Sequence, residues 1–105
     1  MNTKAIYTVH ENGKEHYFFS EHAGGFSYPF AVADFLHSLK GVLNDPMSPQ
    51  KGLCAAPMLE QMKGNYLFPE EIEGKELFTA VKKEQMFQLA VKEQASFGIE
   101  MDMEQ

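Results

Sequence analysis

His10, His16 and His22 are evenly spaced, and a run of imidazoles first suggests a metal centre, since neutral histidine is a common ligand of zinc and related ions. Extended-chain geometry argues against it. In a strand, His16 and His22 share a side but stand about 20 Å apart at ~3.3 Å per residue, whereas ligands of one ion must converge within a few ångströms. His10 lies across a turn and, in the strand pairing derived below, on the opposite face. No metal site is expected, and His37 falls beside an apolar helical stripe as a boundary residue.

Cys54, in Gly52-Leu53-Cys54-Ala55-Ala56-Pro57, stands just before a short helical segment, whose dipole would favour a thiolate and so a nucleophile. No triad-like motif accompanies it, and a free cysteine more commonly packs as a small apolar group. Gly24-Gly25 ahead of a helix could cradle a phosphate on backbone N–H groups. The glycines complete neither G-x-x-x-x-G-K-[ST] nor G-x-G-x-x-G, so a pliable strand exit is the simpler reading. Glu70, Glu71 and Glu73 could hold a cation or form an acid and base pair, but acids gather at helix N-termini for electrostatic reasons alone. The methionines at 47, 58, 62, 86, 101 and 103 read as core filling. No catalytic or cofactor-binding residue is assigned.

These residues must be positioned by the elements around them. Asn12-Gly13 is a strong hairpin signal, because both centres of a type I′ turn need positive φ. A two-residue turn there pairs Glu11 with Lys14, His10 with Glu15, Val9 with His16, Tyr7 with Phe18, Ile6 with Phe19 and Lys4 with Glu21. Three of these pairs set a base against an acid. A three-residue loop pairing Tyr7 with Tyr17 is the rival register. In the preferred register Ile6, Tyr17 and Phe19 share one face, and Tyr7, Val9 and Phe18 the other. Both faces of the hairpin therefore need covering.

Ser27 and Pro29 open a helix carrying the stripe Val32, Phe35, Leu36, Leu39 and Leu43, with Gly41 as an early stop. Residues 44–52 read as a loop. A short helix follows, with Pro57 early, Met58, Leu59 and Met62 on one side and Gly64 at its end. Tyr66–Phe68 reads as a brief extended piece. Glu70 to Ala95 is predicted as one long or kinked helix. In the last segment Phe97, Ile99, Met101 and Met103 alternate with Gly98, Glu100, Asp102 and Glu104, the period of a strand with an acidic face.

At 105 residues the chain suits one compact domain over 1–105, with 44% apolar and 23% charged residues as in folded proteins. A net charge of −6 disfavours direct binding to nucleic-acid phosphates or anionic membranes and suits a basic protein partner. One cysteine, no apolar leader and no long apolar run point to a cytoplasmic protein.

The expected fold is α+β: a small antiparallel sheet, made of the N-terminal hairpin and a C-terminal strand, with two to three helices packed on one face. The expected function is a non-enzymatic interaction module that regulates or inhibits a larger, basic protein, for example a nucleic-acid-binding one. It would act through an exposed aromatic hairpin face or by forming a homodimer. The expected contact residues are Ile6, Tyr17, Phe19, Phe26, Tyr28, Glu100 and Asp102. The alternative is a small enzyme or ligand-binding protein with a pocket near Gly24-Gly25 and Cys54.

Overall fold

Asn12 and Gly13 have φ of 53° and 74°, the left-handed values a type I′ turn demands at both centres. The turn joins β1 (Thr3–Glu11) to β2 (Lys14–His22), and their pairing is the preferred register, running from Glu11 opposite Lys14 to Thr3 opposite His22. The computed structural model describes residues 3–22, 27–60, 78–91, 95 and 97–104. Further along the chain come α1 (Ser27–Asn44), α2 (Ala55–Glu60), β3 (Thr79–Val81), α3 (Lys83–Val91) and β4 (Phe97–Asp102). The strands form a four-stranded sheet in the order β3-β2-β1-β4.

The α+β architecture is the expected one, and its sheet is mixed. β3 runs antiparallel to β2, while β4 runs parallel to β1. Because β1 and β2 are themselves antiparallel, β3 and β4 point the same way, and the segment holding α3 carries the chain between the two margins. Parallel strands need such a crossover, whereas a tight turn suffices for antiparallel ones.

One face of the sheet bears Ala5, Tyr7, Val9 and Phe18, buried with Tyr28, Val32 and Leu36 of α1 and with Ala55 and Leu59 of α2. The stripe predicted for α1 is the stripe that packs: Leu43 is also buried, and Phe35 and Leu39 lie against the same core. Phe78 fills the centre, stacked on Phe18 at 5.1 Å between ring centroids and tilted against Tyr7 at 5.4 Å. Burying a ring of this size contributes about 1.5–3 kcal/mol. The Tyr7 hydroxyl keeps a partner inside this core, Ser20 Oγ at 2.6 Å.

Gly41 does not stop α1. The helix runs to Asn44, whose side-chain amide donates to the carbonyls of Lys40 and Met103, both at 2.9 Å. This cap serves the last turn and ties it to the residue following β4.

The long helix predicted over Glu70 to Ala95 is also corrected. Phe78 enters the core, Thr79–Val81 is a strand, and a helix begins only at Lys83, while residues 70–77 and 92–94 of that stretch lie outside the described residues. The helix start has a local cause: Gln85 Oε1 accepts from Lys82 N–H at 2.9 Å, which is half of a capping box, and Met86 N–H donates to the Lys82 carbonyl to open the α-helical ladder. The predicted helix end at Gly64, the extended piece Tyr66–Phe68 and the acidic cluster Glu70, Glu71 and Glu73 lie outside the described residues.

α3 covers the opposite face. It packs on β1 and β2 while adding no residue to the core under α1 and α2, and Lys83 at its start lies close enough to Glu15 to influence that carboxylate. On this face Ile6 is 7% and Tyr17 9% exposed. Met86 and Leu89 of α3 are half-buried, while Phe87 and Val91 face outward at 69% and 60% exposure.

Burial pushes the Tyr7 phenol up to about 12 from its ordinary 10.0, the Ser20 hydrogen bond opposing the shift. The raised value means that the fold favours the neutral phenol. Tyr7 thus stabilises the fold fully below pH 10 and loses that contribution as the pH climbs through about 12. Replacing Tyr7 with Phe should cost about 1 kcal/mol at neutral pH and flatten the alkaline limb of the stability profile measured by urea denaturation.

Candidate functional site

At the hairpin end of the α3 face, polar side chains line up across β4, β1 and β2. His10 Nε2 lies 2.5 Å from Glu100 Oε1, and His10 Nδ1 lies 3.9 Å from Glu15 Oε1. Glu15 in turn accepts a hydrogen bond from the Tyr17 hydroxyl. Strand register explains the line-up. His10 pairs across the sheet with Glu15 on one side and Asp102 on the other, so all three share a face, with Glu100 one step along β4 on that same face.

Glu15, Glu100 and Asp102 are exposed, and His10 is intermediate. The Tyr17 hydrogen bond holds Glu15 below the usual carboxylate range, with desolvation opposing it and the nearby His10 and Lys83 charges adding to it. The same hydrogen bond pushes the Tyr17 phenol up, with desolvation and the Glu15 charge adding to it. Glu15 therefore remains an anion across the neutral range. Ion pairs this open to solvent are screened and add little to stability. The arrangement does more to place negative charge than to stabilise the sheet.

Asp102 Oδ1 accepts from Glu104 N–H at 2.9 Å, and Glu104 Oε1 accepts from Asn12 N–H at 2.6 Å. Together with Met103 N–H donating to the His10 carbonyl at 2.9 Å, these bonds pin the residues after β4 against the hairpin turn. The acids of this margin are held on fixed backbone.

The expected contact residues divide. Glu100 and Asp102 lie together on the exposed margin. Ile6 and Tyr17 are on the same face but buried in the chain itself, so the aromatic hairpin face does not present them as an open patch. Phe19 is half-buried beside Thr79 of β3, and Tyr28 belongs to the core under α1. Phe26 lies outside the described residues, as do Gly24 and Gly25. His10 and Glu15 are the additions. Their pairing across the turn was legible from the register, but their neighbourhood with Glu100 needed the parallel placement of β4.

Cys54 is exposed at the start of α2, within hydrogen-bond reach of Asn12 Nδ2 at 3.4 Å. The helix end beside it already has an anion. Glu11, buried, accepts from Ala55 N–H at 2.7 Å and from Ala56 N–H at 3.1 Å. Glu11 thus caps α2 rather than turning its carboxylate to Lys14, and it takes the donors a thiolate would need. A cavity of about 120 Å³ is lined there by Asn12, Asn44, Cys54, Met103 and Glu104 among others. It is small beside the roughly 300–1,000 Å³ of sites that enclose organic ligands. His10 and His16 stand on opposite faces, and among the described residues no three His, Cys, Asp or Glu side chains converge on a metal position. No described helix is long and apolar enough to cross a membrane.

Searches for relatives found no significant match to any protein-family model, curated protein or solved structure.

Replacing Glu11 with Ala should destabilise the fold by about 1–3 kcal/mol in urea denaturation, because two buried N–H groups lose their acceptor. Glu11→Gln, which keeps one acceptor oxygen, should recover part of the loss. A change within about 0.5 kcal/mol for the alanine variant, the range of ordinary surface substitutions, would contradict the cap.

Proposed function

We propose that this chain is a non-enzymatic interaction module that regulates or inhibits a larger basic protein, and that it does so through the acidic margin formed by Glu15, Glu100 and Asp102 around His10. The observation that carries the reading is the exposed pair Glu100 and Asp102, set two residues apart on one face of β4, with Glu15 held ionised across the hairpin. Carboxylates placed like this steer and orient a basic partner more than they add raw affinity. The net charge of −6 adds long-range attraction of the same sign.

A nucleic-acid-binding protein is one partner of the right chemistry, because its phosphate-binding lysines and arginines would meet carboxylates instead. Phe87 and Val91, exposed on α3 over the same face, can supply apolar contact beside the charged margin.

The test is affinity capture from a lysate of the source cells, using the wild-type chain and a Glu100→Lys, Asp102→Lys double variant. Both positions are exposed, and an unchanged far-UV spectrum and urea midpoint establish that the variant is folded before capture. The wild type should retain a basic protein that raised salt releases and the double variant fails to hold. Equal capture of the same proteins by both chains would overturn the reading.

A further inference from the structure

β4 is a margin of the sheet. It pairs with β1 on one side and, among the described residues, with no strand on the other. A strand in this position offers backbone N–H and C=O groups to any extended segment that comes alongside. Its side chains are sorted by the pleat: Gly98, Glu100 and Asp102 are exposed on the α3 face, whereas Ile99 and Met101 turn toward the main core and are partly buried.

We infer that this margin accepts an extended basic segment of another protein as an added strand, with Lys or Arg at alternate positions meeting Glu100 and Asp102. The inference rests on the acidic-margin reading and supplies its mode of binding. Main-chain hydrogen bonds hold the added strand, and the alternation of its side chains sets which segments fit. Opposite charges directly across a strand pair favour each other. Glu100 uses one oxygen toward His10, and Asp102 uses one toward Glu104 N–H, so each carboxylate has a second oxygen to offer a cation.

A second copy of this chain is the poorer occupant. A two-fold axis perpendicular to the sheet keeps each face on its own side, so β4 paired with β4 would gather Glu100 and Asp102 of both chains on a single face. Like charges across a strand pair are destabilising. An incoming lysine-bearing strand reverses that sign.

The probe is a capped Lys-Val-Lys-Val-Lys-Val peptide titrated into the full chain, with backbone amide shifts and hydrogen exchange read by NMR. Amides of Gly98 to Asp102 should shift and slow in exchange. A Glu100→Gln, Asp102→Asn double variant should bind at least about fivefold more weakly, in line with the loss of two cross-strand charge pairs. The same peptide methylated at every backbone nitrogen should not bind. If the methylated peptide binds equally well and is still weakened by the double variant, strand addition is overturned while the acidic-margin reading stands. If both peptides bind wild type and double variant alike, both readings fall. Absence of any response in β4 up to millimolar peptide overturns strand addition.

Discussion

The β1–β2 hairpin is apolar on both faces, β1 is paired on both edges, and the rest of the structure follows from having to satisfy that hairpin. The odd-numbered residues of β1, Ala5, Tyr7 and Val9, require one layer, and Ile6 with Tyr17 across the hairpin requires another. α1 and α2 provide the first and α3 the second. A half-solvated hairpin would have needed only one, as antiparallel sheets with a polar outer face do. The second layer is also what makes β4 parallel, because the chain segment that carries α3 crosses from one margin of the sheet to the other.

The hairpin end of the molecule is where separate elements are tied together. Glu11 caps α2, Asn44 closes α1 and holds the Met103 carbonyl, and Glu104 holds the turn at Asn12. Each bond spans parts of the chain far apart in sequence, and Glu11 satisfies two buried N–H groups that would otherwise go without a partner. Hydrogen bonds to an ionised carboxylate are worth about 1.5–3 kcal/mol, so Glu11 matters more to the fold than its place beside an exposed turn suggests. The acidic margin sits on this fixed corner, which limits the order a partner must impose on binding.

Much of the fold was legible because local rules agreed. Asn12-Gly13 set the turn, the alternation at residues 97–103 marked a strand, and the stripe from Val32 to Leu43 marked a helix face. Sequence reasoning failed where a local propensity met a tertiary demand. Good helix formers on either side of Thr79–Val81 predict a helix, yet Phe78 is drawn into the core and its successors pair with β2. The helix start at Lys83 does leave a trace, Gln85 three residues after the cap, which is short enough to be overlooked. Glu100 and Asp102 were legible as an acidic strand face, while their approach to His10 depended on the direction of β4, which alternation alone does not encode.

The central claim is that the chain covers both faces of β1 by itself, so that binding falls to the β4 margin and not to an open hairpin face. Native-state hydrogen exchange on dilute chain, at a concentration where sedimentation shows single copies, addresses it directly. The amides of Ile6 to Val9 should exchange only at the rate of global unfolding and independently of concentration, while those of β4 open earlier. Protection of Ile6 to Val9 that appears only as the concentration rises and the chain self-associates would contradict the account.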